Sequence, residues 1–315
     1  MEDYQKLHDL QRNHMNDDFH KEGRDRIHET WFKEDTVDFW RHERMYKTIE
    51  PMARFYNDKK WLSIGDGRFG LDSHRLNKMF HIDVFPTDIS KNMLEKAADS
   101  GMIKKFGVEN AEKLSFPDNS FDITFCKESF HHFPRPIIAL YEMIRVSKTA
   151  VVLIEPNDGS VLRGPKTILR LFPKLLFNGI FPKVNHLKKN DSFFSNPANS
   201  FEESGNYVYG VSRREIEKIV LGANLKGFAW KGFNDSYVKG CEFERADPHN
   251  AVFKTVNAQI KKMDSKCLRF PLFFDWGLTT TVIFKQEIDN VLKTQMESSG
   301  FEFPEIPRNP FISRE

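Results

Sequence analysis

Cysteine is scarce in this 315-residue sequence, which holds three, Cys126, Cys241 and Cys267, widely spaced and odd in number. They provide neither a disulfide framework nor a CxxC zinc site, and they suit a reducing compartment. Long apolar runs are missing too, none approaching the roughly 18 residues that a membrane span needs. The opening stretch MEDYQKLHDLQRNHMNDDFHKEGRD has no apolar signal-peptide core, so the expectation is a cytoplasmic protein. Charge of one sign is not in excess either. Lys and Arg (47) against Asp and Glu (45) leave +2, which gives no support to a duplex-binding surface. The pairs Lys188-Lys189 and Lys261-Lys262 are too short to mark a nucleic-acid groove. There is no internal repeat and no low-complexity run. What the chain does have is aromatic residues, 30 Phe, 7 Tyr and 5 Trp, within a composition that is 39% hydrophobic and 29% charged. That is a folded globular protein, long enough for one enlarged domain or two ordinary ones.

In residues 1–60, Trp31, Phe32, Val37, Phe39, Trp40, Met45 and Tyr46 recur at roughly helical spacing, which predicts a helical N-terminal cap. The block DFWRHERMY places Arg41, His42 and Arg44 among aromatic residues. It reads either as a segment folded over a ligand or, the preferred reading, as an amphipathic helix that packs Trp40 and Met45 inward and leaves a solvated charged face. The texture changes at Trp61. WLSIGDGRFG is a short apolar run entering a glycine turn, and HIDVFPTDIS repeats the pattern, with Ser90 placed to cap the helix KNMLEKAADSG. Strands and helices go on alternating through SFDITFCKES, PIIALYEMIRVSK and TAVVLIEP, which argues for right-handed crossovers and a parallel, doubly wound α/β sheet over 61–285.

Two insertions are expected in that domain, at about 158–208 and 238–275. The first contains VLRGPKTILRLFPKLLFNGIFPKV, a composition that an interfacial membrane helix also has. Pro165, Pro173 and Pro182 cut it into short pieces, so 161–184 reads as a substrate-covering lid or a subunit contact. Beyond it, Ser212 can cap the helix RREIEKIVLGA, NLKGFAWKGFND reads as a strand, and GLTTTVIFKQ reads as a terminal antiparallel strand. Residues 286–315, with three prolines in FEFPEIPRNPF, read as a wrapping tail.

Gly65, Gly67 and Gly70 form GxGxxG directly after an apolar strand, and Asp88 ends the next one. Glycines let backbone approach a nucleotide closely, and a carboxylate at the second strand's end can accept hydrogen bonds from ribose hydroxyls. The same glycines could instead only shape a strand-to-helix turn. The motif does not say whether a dinucleotide or S-adenosylmethionine (SAM) is held.

The stretch AEKLSFPDNSFDITFCKESFHHFPRPIIALYEMIRVSKTAVVLIEP resembles the class I SAM-dependent methyltransferases of the type 11 family, in its Ala-Glu pair, Phe-Pro-Asp-x-Ser-Phe-Asp, His-His-Phe, Arg-Val helix end and strand ending in Glu-Pro. The likeness runs from about Trp61 to Pro156. It implies a Rossmann-like sheet of seven strands with the last antiparallel, and SAM as cofactor. It further implies that Gly65, Asp66 and Gly67 lie against the methionine and ribose of SAM, that Asp88 binds the ribose diol, that Ile89 packs on adenine, that Asn110 and Ala111 sit at the adenine edge, and that Lys127 lies near the methyl donor. The sequence departs from the family pattern in Ser63, where an acid is usual, in Phe69, where a third glycine is usual, and in Arg68, which can pair with the methionine carboxylate.

Displacement at a sulfonium needs alignment and a dry site, and an oxygen nucleophile also needs a base near neutral pKa. His131 and His132, with Glu128 beside them, are the candidates, against the alternative that a histidine only caps a helix or packs on Phe133. Glu155 would face the same cleft or be a satisfied strand terminus. No His/carboxylate set has metal-ligand spacing, so no metal is expected. The expected activity is methyl transfer to a polar small molecule, a hydroxyl of a sugar or other metabolite. The rivals are an NAD-linked oxidoreductase, a nucleic-acid methyltransferase and a catalytically silent SAM-binding module.

Overall fold

The computed structural model describes residues 2–18, 29–158, 206–271, 273–307 and 311. The first insertion, including 161–184, lies almost wholly outside the described residues. The helices described before the sheet include α1 (Glu2–Asp18), α2 (Val37–Lys47) and α3 (Glu50–Phe55). The alternation then runs β1 (Lys60–Ile64), α4 (Leu71–Phe80), β2 (Asp83–Asp88), α5 (Lys91–Asp99), β3 (Gly107–Val108), β4 (Phe121–Lys127), a 3-10 turn (Phe130–His132), α6 (Pro136–Val146) and β5 (Ser147–Pro156). After the first insertion come α7 (Arg213–Gly222), β6 (Gly227–Phe233), α8 (Ala251–Arg269), β7 (Leu278–Phe284) and α9 (Asn290–Ser298).

The seven strands form one sheet in the order β3-β2-β1-β4-β5-β7-β6. All neighbours through β5 are parallel, with Ile64 opposite Thr87 and Trp61 opposite Ile123. β7 inserts antiparallel between β5 and β6, so that Ala150 faces Phe284 and Pro156 faces Leu278. This is the doubly wound sheet, last strand antiparallel, that the sequence implied.

Successive residues of a strand point to opposite faces, and both faces of this sheet are covered. Trp61, Phe125, Val152 and Val282 join Met45, Tyr46, Ile49, Met52, Leu292 and Met296 in the layer under α2, α3 and α9. Their neighbours Leu62, Cys126, Leu153 and Ile283 join Leu140, Met143, Ile216 and Val220 in the layer under α6 and α7. The second insertion carries α8, whose Val256 and Ile260 pack with Cys241 against Val37 of α2. Side-chain caps fix several helix starts, Thr36 on Phe39 N at α2 and a Ser212/Glu215 capping box at α7. The strand order reverses between β1 and β4. In open α/β sheets, ligands bind outside the carboxyl ends of the strands at such a switch point.

Candidate active site

The glycine loop leaves β1 at that switch point. Gly65 has φ +76°, a conformation side chains disfavour, and a Cβ there would come within 2.5 Å of Ser129 Cβ. Its amide and that of Asp66 both donate to Thr87 O at 3.0 Å, which ties the loop to β2. Gly67 is small for another reason: a Cβ on it would lie 2.7 Å from Asp88 Oδ2. Phe69 occupies φ +56°, where glycine is usual, and its ring packs with Trp31 and Phe32 and against Met93, Leu94 and Ile103. Packing therefore stabilises a backbone conformation that local preference disfavours.

Asp66 points into the protein, accepting from Asp72 N and Ser73 N at 3.0 Å, so it caps α4. Burial and the neighbouring Asp72 carboxylate raise its pKa. Asp88 stays at the loop, where burial pushes its pKa up to about 6 against the backbone N–H groups of Ser90, Gly67 and Ile89. Ile89 follows, half-buried.

A solvent-open cleft of about 970 Å³ lies over this loop. Gly65–Arg68 and Asp72 form one wall, Lys127, Glu128 and His132 another, and Trp31, His42 and Tyr46 close it from the N-terminal segment. The structure thus brings Gly65, Asp66, Gly67, Arg68, Lys127, Glu128 and His132 together. His131 is not among the lining residues. Its Nδ1 lies 2.6 Å from Glu155 Oε2, and Glu155, fully buried, also accepts from Ser129 N and Phe130 N at 3.0 Å. Glu155 is thus the satisfied strand terminus, which anchors the turn carrying both histidines.

Lys127 and Glu128 end β4 3.0 Å apart. Burial would lower Lys127, but Tyr46, Glu128 and Asp72 raise it, so it is a firm cation. Burial would raise Glu128, but the Lys127 ammonium and the His42 hydrogen bond hold it well below the usual carboxylate range. Glu128 has φ +50°, and its N donates to Ile154 O at 2.9 Å.

Arg41, His42 and Arg44 of α2 do not form a solvated face, contrary to the preferred sequence reading. Arg41 pairs with Asp38 and Asp235, Arg44 donates to Asn234 O at 3.3 Å, and Trp40 is only half-buried, on Phe253. His42 Nδ1 stands 3.3 Å from Glu128 Oε2. Burial and the Lys127 charge lower its pKa, leaving a neutral imidazole at pH 7. The sequence singles out His42, but its partner Glu128 lies 86 residues away and leaves no local signal of the contact.

Asn110 and Ala111 sit at the far edge, beyond β3. Asn110 Oδ1 accepts from Glu112 N at 2.9 Å, and its amide nitrogen meets His8 of α1 at 3.3 Å. His8 also pairs with Glu112 at 3.1 Å, and Gln11 donates to His132 O at 3.1 Å. α1, within the 1–60 span expected to be helical, therefore reaches from the Asn110 edge to the His132 turn.

A glycine loop at the switch point, faced by an acidic residue at the next strand's end, defines a nucleotide-binding α/β fold. Residues 62–154 match the sequence model of the family described as a methyltransferase domain, and they lie in a Rossmann-like sheet of strand order β3-β2-β1-β4-β5-β7-β6. It is similar to 2-methyl-6-phytyl-1,4-hydroquinone methyltransferase of Synechocystis sp., 32% identical over 96 residues, which are 30% of each chain. It is also similar to a ubiquinone/menaquinone biosynthesis C-methyltransferase of Laribacter hongkongensis, 32% identical over 29% of this chain and 38% of that one. The chain thus spans about a third of the length of these curated relatives. A solved SAM-dependent methyltransferase from Archaeoglobus fulgidus aligns over 78% of this chain and 94% of its own, with 15% identity and a TM-score of 0.44. Among the described residues no helix is long and apolar enough to cross a membrane.

Proposed function

We propose that this protein is a cytoplasmic SAM-dependent methyltransferase acting on a hydroxyl-bearing small metabolite rather than on nucleic acid. The observation that carries this reading is the apposition of Gly67 and Asp88, where a Cβ would fill the space in front of the carboxylate. A ribose that must reach both loop backbone and carboxylate fits that cradle. When bound, SAM supplies an electrophilic methyl carbon on a positively charged sulfur.

The chain's own residues do the rest. Asp88 accepts from the ribose hydroxyls, Ile89, Asn110 and Ala111 border adenine, and Arg68 on the loop serves the amino-acid end. Trp31 and Tyr46 narrow the cleft against water, which strengthens its electrostatics. Two imidazoles line it, His132 and His42. His42 is the better base, because burial keeps it neutral and Glu128 stabilises the imidazolium formed when it takes a hydroxyl proton. Glu128 thus acts through His42, and His132 contacts the acceptor. His131, tied to Glu155, positions the turn.

The hydroquinone named for the Synechocystis relative supports a small hydroxylated acceptor. A phenolate is nucleophilic at oxygen and at ring carbon, so a base in this position serves either outcome. Among the described residues lining the cleft, none singles out a sugar.

Calorimetric titration with SAM, S-adenosylhomocysteine (SAH) and NAD tests the reading. SAM and SAH are expected to bind and NAD is not; indifference to both SAM and SAH sinks it. With a small-molecule extract supplying the acceptor, His42→Gln should slow SAH formation by about 10²- to 10⁴-fold while keeping SAH affinity. Wild-type turnover in that variant would remove His42 from the chemistry.

A further inference from the structure

One cation in the cleft is buried without a counter-charge. Arg75, in the second turn of α4, is 7% exposed and lines the cleft. Among the described residues it makes no ion pair, and its Nε is buried without an acceptor. The guanidinium is held by stacking, 4.5 Å from the Phe39 ring centroid and 5.7 Å from that of Tyr46. The carboxylates nearby are already engaged: Asp38 by Arg41, Asp72 by Tyr46 and Lys127, Glu128 by Lys127 and His42, and Asp66 by the start of α4.

Aromatic stacking restores only part of the hydration that a buried guanidinium gives up. Its planar fork of donors matches a carboxylate in two-point fashion. Arg68, the other cleft arginine, is exposed on the glycine loop itself, where the donor's amino-acid end is expected. One donor brings one carboxylate, so the cleft has a second guanidinium left over. The rings that hold that second group belong to α2, outside the matched span 62–154. Surfaces added to a shared fold are where acceptor choice is made.

Resting on the methyltransferase reading, we propose that Arg75 seats a carboxylate of the methyl acceptor, so that the acceptor is a small organic acid. Phe39 and Tyr46 beside the guanidinium favour a flat one.

The test uses benzoate and benzamide, alike in shape and different in charge, titrated into the protein saturated with SAH. Benzoate is expected to bind and benzamide not. Arg75→Met should weaken benzoate by about tenfold or more, the usual scale for losing a charged hydrogen bond, and leave SAH affinity unchanged. Equal behaviour of the two probes, or benzoate affinity unchanged in Arg75→Met, overturns the proposal. A second arm identifies whose carboxylate is read, by comparing SAH with 5′-methylthioadenosine, which lacks the amino-acid end. If Arg75→Met weakens SAH and spares 5′-methylthioadenosine, Arg75 serves the donor and the acid-acceptor proposal falls. Failure of the wild type to bind either nucleoside is instead failure of the methyltransferase reading, seen before any benzoate is added. Should Arg75→Met not fold, Arg75→Lys keeps the charge without the fork. A smaller but measurable loss of benzoate supports the proposal, and unchanged affinity overturns it.

Discussion

His42 on α2 and Glu128 at the end of β4 meet at 3.3 Å, Nδ1 to Oε2, across the mouth of the cleft. Burial and Lys127 lower the imidazole's pKa, and Glu128 opposes them. Side-chain NMR of labelled histidine should therefore give His42 a titration midpoint below the ordinary 6.5, and Glu128→Gln should lower it further. A midpoint at or above 6.5 would contradict the neutral imidazole. The linkage has a definite sign. Because the unfolded chain takes up this proton first, His42 lowers stability as pH falls through and below 6.5. His42→Gln should accordingly gain stability relative to wild type at pH 5 and little at pH 8, as read by urea denaturation.

Asp88 pulls the other way. Its carboxyl titrates at about 6 when folded, against 3.8 for an unperturbed group, so between these pH values the folded state holds the extra proton. Its contribution therefore favours folding below pH 4 and declines as pH rises to about 6, by on the order of 3 kcal/mol. Asp88→Asn should flatten that part of the stability profile. Donor binding needs the ionised form as acceptor, so SAH affinity of the wild type should rise between pH 5 and 7. Asp88→Ala should cost about 1–3 kcal/mol of SAH affinity at pH 7. An affinity indifferent to both pH and substitution would remove Asp88 from the site.

The two glycines should fail differently when replaced by alanine. Gly65→Ala forces φ +76° on a side-chain residue and collides with Ser129, so a stability loss of at least about 1–2 kcal/mol is expected in denaturant titration. Gly67 has no such backbone demand, and the nearest atoms its added methyl would meet are those of the Asp88 carboxylate. Gly67→Ala should leave stability closer to wild type while abolishing SAH binding. Retention of SAH affinity would mean that the cradle is not where the nucleoside sits.

These features differ in how visible they were in the sequence, and the difference follows from chain separation. β1, the glycine turn and Asp88 lie within 29 residues, and each leaves a local signal in apolar runs and glycine spacing. The helical spacing of Trp40 and Met45 announced α2 but could not say what its charged face would meet. Asp235, which takes Arg41, follows β6, and Glu128, which takes His42, ends β4. Phe69 breaks the glycine pattern, and only the packing of Trp31, Met93 and Ile103 around it shows how the left-handed turn persists. Arg75 leaves no sequence signal at all, being an ordinary mid-helix arginine until its partners are counted.

Glu155 links fold stability to the cleft without lining it. It is fully buried and meets Ser129 N, Phe130 N, His131 Nδ1 and, at 3.9 Å, Cys126 Sγ. Ser129 in turn donates its hydroxyl to Gly65 O at 2.7 Å, so the turn after β4 and the glycine loop are joined through one side chain. Glu155→Ala takes their shared acceptor away from the Ser129 and Phe130 amides and removes the carboxylate that meets His131 Nδ1. The expected loss is about 3–5 kcal/mol of stability by urea denaturation. Because Gly65 is held from the same turn, SAH affinity should fall as well, measured where the variant is still folded. Glu155→Gln keeps one acceptor oxygen for the two amides and should recover most of the SAH affinity. Full stability in Glu155→Ala would show that the turn is held by other contacts.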